Sequence, residues 1–430
     1  MRNISTIIFI IYSLIIIGCS DSNPAGFNDS DENSGKNPEN GLKIYIPDEF
    51  SDMDFNDNSS RWSFERSRES EHFVVFWEDG YGDEDPGSQN VDPIYRVDID
   101  DLLEKAELYY DQNIHDLKFA ETGTGNSNLD QYKMMIFLHH QEEWLATWAG
   151  YDDVIGALWI SPHTVQPVGP VIAHEIGHSF QYQVYSDLGG GAGFRYGFGG
   201  NGGNVFWEQT ANWQTYYAYP DEIFGHDFNV YVENYNKHIH HEDYRYASYF
   251  TLYHWTDKHG LDMVARIWRE AREPEDPIEA YMRITEINTQ ELNEEIFEAA
   301  TKNITWDLDA LRDLGANSVG RHQFEYITLD DGSHMPTYTY APQTTGYNVI
   351  PLNVPDGGGV VSIDFTGLPN ADGYNAVDVS IAGWRYSFVA LQNNGQRVYG
   401  EMNSDPQGTA SFTVPINVER LWFVVTGAPS

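Results

Sequence analysis

Residues 174–178 read His-Glu-Ile-Gly-His, and this pentad constrains the fold more than any other segment of the 430-residue chain. On a helix, residues four positions apart project from the same face, so His174 and His178 can bind one metal ion. Glu175 lies one step round the turn, where it can act on a metal-activated water. The flanking residues 171–184 carry apolar side chains at the spacing of a buried helical face, which favours a packed helix over a chance match.

A second segment supplies the candidate third ligand. Glu208 lies thirty positions after His178, within Trp-Glu-Gln-Thr-Ala-Asn-Trp, which we predict to be a second helix. Between the two segments, residues 189–203 contain nine Gly among fifteen, and we call this stretch the Gly-rich connection. It is either a mobile flap or a plain loop that reverses the chain direction. Because a catalytic zinc needs three protein ligands and one open position, we predict Zn²⁺ bound by His174, His178 and Glu208.

These two segments resemble the zincin metallopeptidases, and in particular the gluzincin branch, whose third ligand is a glutamate on a second helix. The branch usually has an acidic residue four positions after that glutamate, which orients a ligand histidine. This chain has Asn212 there. An Asn side-chain oxygen can also accept the imidazole N–H, so Asn212 is the expected partner of a ligand histidine.

The chain is also similar to an uncharacterised group of secreted bacterial lipoproteins that carry the HEIGH…WE pair and a C-terminal β domain. The resemblance implies an α+β zincin-like catalytic domain, with a small mixed sheet and a helical subdomain, over residues 61–335.

Apolar runs predict strands at 73–77, 132–138 and 154–160, whereas helical spacing occurs at 97–112, 246–259, 261–273 and 290–302. Short alternating segments predict an all-β sandwich over residues 336–430, with strands at 360–365, 376–381, 386–391, 410–414 and 421–425.

The gluzincin resemblance implies two further features of the site. The strand before the motif helix would be a sheet edge that pairs with extended substrate, so Gly156 and Ala157 would border the cleft. The alternative is an ordinary core strand. A Tyr or His from the helical subdomain would stabilise negative charge in the transition state, and Tyr244, Tyr246 and His241 are the candidates in that order. The competing interpretation of each is a half-buried Tyr or a surface His.

The N-terminus reads as a lipoprotein signal over residues 1–19. A basic start precedes an apolar run too short for a permanent membrane span, and the run ends in Ile-Ile-Gly-Cys. The alternative is an ordinary cleaved signal with an incidental Cys. Cys19, the one Cys of the chain, would be lipidated, and polar residues 20–60 would form a disordered tether. We therefore expect a lipid-anchored protein of the bacterial cell envelope, on the outer membrane or cell surface.

The formal net charge of −42 argues against nucleic acid as a partner and against contact with anionic lipid beyond the acyl anchor. The chain is rich in aromatic residues, with 12 Trp, 28 Tyr and 22 Phe, most of which we expect in the core. Exposed aromatic rings of the C-terminal domain could also contact glycans.

The predicted function is a zinc metallopeptidase that hydrolyses extracellular proteins or glycoproteins. Glu175 would be the general base and then the proton donor to the leaving amine. One alternative is a non-catalytic glycan- or protein-binding lipoprotein with a vestigial metal site. Another is a hydrolase of non-peptide bonds, since the same residues would serve both reactions.

Replacing Cys19 with Ala tests the anchor. Without the thiol no acyl chain can be attached, so the full-length variant should move from the membrane fraction to the soluble fraction on cell fractionation. A variant that stays in the membrane fraction would rule out lipidation at Cys19.

Overall fold

The computed structural model describes residues 41–189, 191–196 and 203–430. The predicted signal, Cys19 and residues 20–40 lie outside this part. The described residues form a mixed α and β fold with eight α-helices and thirteen strands. None of these helices is long and apolar enough to cross a membrane.

The N-terminal half contains a five-stranded sheet in the order β1-β2-β3-β5-β4. The central strands β2, β3 and β5 run parallel, and β1 and β4 pair antiparallel at the two edges. The apolar runs of β2 and β3 are buried throughout, as expected of parallel strands covered on both faces. The strands span Ser67–Glu69 (β1), Phe73–Trp77 (β2), Met134–Leu138 (β3), Ala146–Tyr151 (β4) and Ile155–Ile160 (β5).

Strand β5 is an interior strand, so the prediction that Gly156 and Ala157 border the cleft is wrong. Ala157 pairs with Met135 of β3 on one side and with Ala149 of β4 on the other. The alternative interpretation, a core strand, is confirmed. On this side of the sheet the edge is β4, whose sequence Ala-Thr-Trp-Ala-Gly-Tyr lacks the apolar run of β2, β3 and β5.

Residues 41–60 belong to the folded body, so the predicted tether is wrong for this part of its length. Ile44, Phe50 and Phe55 are buried in the main hydrophobic cluster. Phe50 lies 5.4 Å from Phe137 of β3, measured between ring centroids. The polar composition of the segment conceals these few large apolar side chains, which pack against the sheet.

Helices cover the sheet and form the middle of the chain. Helix α1 starts after Asp98, whose carboxylate accepts hydrogen bonds from two backbone N–H groups of its first turn. Helix α2 begins at Pro170, a residue whose fixed backbone angle suits the first turn of a helix. The helices span Ile99–Asp111 (α1), Pro170–Leu188 (α2), Gly203–Ala218 (α3), His226–Asn234 (α4), Phe250–His259 (α5), Met263–Glu270 (α6), Pro277–Thr285 (α7) and Thr289–Asn303 (α8).

The C-terminal region is built from antiparallel sheets. Strands β11-β10-β13-β8 form a four-stranded sheet, β12 and β9 form a two-stranded sheet, and a second buried cluster lies between the two. Tyr347 and Trp422 belong to the main cluster instead, so this region packs against the helices. The strands span Tyr326–Thr328 (β6), His334–Pro336 (β7), Tyr347–Leu352 (β8), Gly359–Thr366 (β9), Trp384–Gln392 (β10), Arg397–Tyr399 (β11), Gln407–Val414 (β12) and Val418–Gly427 (β13).

One predicted strand of this region is wrong. Residues 376–381 form turns and irregular backbone, and Val377 and Val379 are exposed. The segment alternates in polarity like a strand, but it pairs with no neighbouring strand in the described structure.

Removing residues 41–60 should strongly destabilise the protein. Burial of a large apolar side chain contributes about 1.5–3 kcal/mol, and this segment buries at least three of them. A chain that begins at residue 61 should therefore unfold at a much lower temperature than one that begins at residue 41, as followed by circular dichroism. Equal melting temperatures would show that the segment does not contribute to the core.

Candidate metal centre

The two helices that carry the motif residues are in close contact, and Gly177 makes this possible. A Cβ atom at Gly177 would lie 2.8 Å from the side-chain oxygen of Gln214 and 3.5 Å from the Cα of Ala211. On the sheet side, a Cβ at Gly156 would lie 2.8 Å from the carbonyl oxygen of Ser179. Glycine at these two positions therefore lets α2 fit between α3 and strand β5.

The packing brings His174, His178 and Glu208 together. The Oε2 atom of Glu208 lies 3.2 Å from Nε2 of His174 and 3.2 Å from Nε2 of His178. The side chains of His178 and Glu208 are 3% and 5% exposed, whereas that of His174 is 14% exposed. Among the residues that the structure describes, this is the one group of three such side chains placed to hold a metal ion.

The partner of His174 fixes its tautomer. Nδ1 of His174 lies 2.7 Å from Oδ1 of Asn212, whose amide nitrogen donates to Asp227 at 3.0 Å and to the carbonyl of Tyr246 at 2.5 Å. Because the amide nitrogen is the donor in both, Oδ1 must accept, and Nδ1 of His174 carries the proton. The lone pair of Nε2 therefore faces Glu208.

His178 is oriented by a chain of buried amides. Nδ1 of His178 lies 2.9 Å from Oε1 of Gln181, whose amide nitrogen donates to the carbonyl of Trp207 and to Oε1 of Gln214. Gln214 in turn donates to Asn113 at 2.6 Å. The same argument places the proton on Nδ1 of His178, so both imidazole lone pairs point at Oε2 of Glu208.

Three electron pairs without a proton between them cannot lie this close unless a positive charge sits among them. Without a metal ion, a second proton on Nε2 of His174 can supply this charge: burial lowers the pKa of His174, but donation from the protonated ring to Glu208 and the nearby carboxylates raise the pKa to about 9. Burial also acts to raise the pKa of Glu208, yet the attraction of His178 and the imidazole hydrogen bonds hold it well below its usual range. The pocket therefore binds a positive charge, and a metal ion competes for it with a proton.

The donor set fits zinc. Two ligand atoms about 2.0–2.1 Å from a tetrahedral zinc ion lie about 3.3 Å from each other, close to the separations of the Glu208 oxygen from the two imidazole nitrogens. Two imidazoles and one carboxylate are a common ligand set of catalytic zinc. In such sites the ring nitrogen that does not bind the metal usually donates a hydrogen bond, and the side-chain amides of Asn212 and Gln181 accept these bonds here.

Glu175 lies beside these ligands without being one of them. Its carboxylate interacts electrostatically with His174, His178 and Glu208, and it accepts a hydrogen bond from the backbone N–H of Trp148. Glu175 is 7% exposed, and burial raises the pKa of its carboxyl. The structure thus places the predicted general base between the metal ligands and the edge strand β4.

Of the three predicted transition-state donors, only Tyr246 is at the site. Its ring centroid lies 6.0 Å from that of His174, and burial near Glu208 raises the pKa of its hydroxyl. Tyr244 is buried elsewhere and donates to the carbonyl of Lys237 at 3.0 Å. His241 accepts from the backbone N–H of Asp243 at the start of a short 3₁₀ turn. The predictions for Tyr244 and His241 are therefore wrong.

Several residues of the site were not predicted from sequence, among them the amides that orient His178 and the residues Tyr196 and Asp227. Tyr196, in the Gly-rich connection, donates its hydroxyl to Oε1 of Glu208 at 2.9 Å. Asp227, at the start of α4, accepts from both Asn212 and the hydroxyl of Tyr216. The acidic group nearest to His174 on this side thus lies one hydrogen bond beyond Asn212.

Comparison with known proteins identifies the family of the chain but not an activity. The folded body combines a mixed sheet, a helical region and antiparallel C-terminal sheets around the three-residue cluster. The family of unknown function DUF6055 matches residues 36–430, so the chain belongs to this family. No curated protein matches the chain. A crystal structure of a functionally unknown conserved protein from Bacillus anthracis str. Ames is similar over 87% of this chain and 77% of that one, with 8% identity and a TM-score of 0.30.

Replacing Asn212 with Ala should weaken zinc binding about 10–100-fold, because His174 loses the partner that fixes its tautomer. The zinc dissociation constant can be measured by competition with a chromophoric chelator. The matched control is Asn229→Ala, since Asn229 lies on the exposed surface of α4. Wild-type affinity in the Asn212 variant would show that the contact does not orient the ligand.

Proposed function

We propose that the protein is a zinc-dependent metallopeptidase that hydrolyses peptide bonds of extracellular proteins or glycoproteins. The observation that carries the proposal is the convergence of two imidazole lone pairs and one carboxylate oxygen next to Glu175, a buried carboxyl that is not part of the ligand set. A purely structural site would need the ligands alone, whereas an adjacent free carboxyl is what proton transfer requires.

Each residue has a defined task in this proposal. His174, His178 and Glu208 hold the ion, which supplies Lewis acidity toward the substrate carbonyl and toward water. Glu175 takes a proton from the attacking water while the water oxygen forms a bond to the carbonyl carbon of the substrate. Glu175 then gives the proton to the amine nitrogen when the C–N bond breaks.

Tyr246 is the candidate donor to the negative charge that develops on the substrate oxygen. Its ring lies beside that of His174, and its backbone carbonyl is held by Asn212. Since burial and Glu208 raise the pKa of Tyr246, its hydroxyl keeps its proton at neutral pH and can donate it in a hydrogen bond.

The edge strand β4 favours a peptide as the substrate. Ser161 donates its backbone N–H to the carbonyl of Leu145, and pairing alternates from there along the strands. By this alternation, the backbone groups of Ala146, Trp148 and Gly150 point away from β5; the N–H of Trp148 is engaged by Glu175, and those of Ala146 and Gly150 face the open edge. An extended peptide could add to this edge as a further strand, with its backbone close to Glu175.

The variant Glu175→Gln tests the proposed role of the carboxyl. We expect zinc affinity close to that of the wild type and a fall in kcat of at least about 10²–10⁴-fold, because general acid–base catalysis contributes this much. Zinc content and hydrolysis of an unfolded protein and a glycoprotein would be measured together. The control is Glu143→Gln, an exposed carboxylate just before β4.

Undiminished turnover in Glu175→Gln would refute the assigned role. Zinc binding by the wild type with no hydrolysis of peptides, but with cleavage of esters or other non-peptide bonds, would move the proposal to a different hydrolase. Zinc binding with no hydrolysis at all would favour a non-catalytic surface-binding protein.

A further inference from the structure

The two carboxylate oxygens of Glu208 have different surroundings. Oε2 faces the two imidazole nitrogens at 3.2 Å, whereas Oε1 accepts the hydroxyl of Tyr196 at 2.9 Å. Both distances and the low exposure of Glu208 indicate a carboxylate held in one orientation. One oxygen is thus directed to the ligand pocket and the other is already engaged by a hydrogen-bond donor.

Tyr196 is itself held in place, although it belongs to the Gly-rich connection. The backbone of Gly193 donates to the carbonyl of Trp268, and the carbonyl of Phe194 accepts from the indole N–H of Trp207 at 2.8 Å. The ring of Phe194 packs edge-on against those of Phe206 and Trp268. This part of the connection is therefore anchored to the buried aromatic core.

The rings around Tyr196 complete its support. Its ring lies edge-on to Trp207 at 5.8 Å and to Trp148 of strand β4 at 6.0 Å, measured between centroids. Trp148 in turn stacks on Trp207 at 4.7 Å. These contacts fix the direction of the hydroxyl, so the hydrogen bond to Glu208 does not depend on a freely rotating side chain.

We propose, building on the zinc site described above, that Tyr196 is a positioning residue that keeps Glu208 bound to the ion through one oxygen only. A carboxylate with two free oxygens can bind a metal through both, and this would occupy the position that water or substrate needs. Engaging Oε1 in a hydrogen bond leaves Oε2 as the single ligand atom. Tyr196 thereby preserves an open coordination position and holds the carboxylate in the orientation in which Oε2 faces the ion.

The substitution Tyr196→Phe tests this proposal because it removes the hydroxyl and keeps the ring. The dissociation constant for zinc should rise about 10–100-fold. In the cobalt(II)-substituted protein, the visible d–d absorption should weaken and shift, as four-coordinate cobalt gains a fifth ligand from the second oxygen. Neither readout requires a substrate, and the spectrum would not change if the hydroxyl only contributed to packing.

The matched control is Tyr182→Phe. Tyr182 lies in the same aromatic cluster, with its ring centroid 6.1 Å from that of Trp148. Its hydroxyl accepts a hydrogen bond from the backbone N–H of Asp153, whereas the hydroxyl of Tyr196 donates to Glu208. This variant should bind zinc and cobalt like the wild type.

The outcomes separate this proposal from the proposed function. A Tyr196→Phe protein with wild-type zinc affinity and an unchanged cobalt spectrum would overturn the positioning role and leave the metallopeptidase untouched. A wild-type protein that binds neither ion would overturn both. If Tyr196→Phe does not fold, the cobalt(II) spectrum of the wild type provides the second test: the strong d–d absorption of a four-coordinate ion is expected, and the weak absorption of a five-coordinate ion would contradict the proposal.

Discussion

The central constraint on this fold is the buried positive charge that His174, His178 and Glu208 require between them. Their ligand atoms lie on two helices and can converge only if α2 and α3 pack with almost no side chain between them at Gly177. Because unpaired buried lone pairs are costly, the arrangement is stable only with a proton or a metal ion at the centre. Binding of a metal ion and the helix packing would therefore depend on each other, and loss of one would weaken the other.

Each of the three candidate ligands is oriented by an uncharged hydrogen-bond partner. Asn212 contacts His174, Gln181 contacts His178, and Tyr196 contacts Glu208, each through a single hydrogen bond. Asp227 approaches only through Asn212. An ion at this site would thus be coordinated by one carboxylate, and neither of its histidine ligands would be hydrogen-bonded to a carboxylate. Less negative charge near the ion leaves more of its Lewis acidity for water and substrate.

Much of the site could be predicted from sequence because helical periodicity is local. The spacing of the pentad places both histidines on one face, and Asn212 follows Glu208 by one helical turn. The tyrosine contact could not be predicted, since Tyr196 precedes Glu208 by twelve residues in sequence and no helical or strand period relates the two positions. Strand β4 was missed because an edge strand has one partner and needs no apolar run. Residues 41–60 were misjudged because average composition hides a few aromatic anchors such as Phe50 and Phe55.

The metal content of the purified soluble protein, residues 41–430, tests the central claim most directly. Measured by inductively coupled plasma mass spectrometry beside a Glu208→Ala variant and a surface control, Glu233→Ala, the wild type and the control should each contain about one zinc ion per chain. The Glu208 variant should lose it while keeping its helical circular dichroism signal. A wild-type protein that holds no metal, even after zinc is supplied, would contradict the account, because the three ligand atoms would then share only a proton.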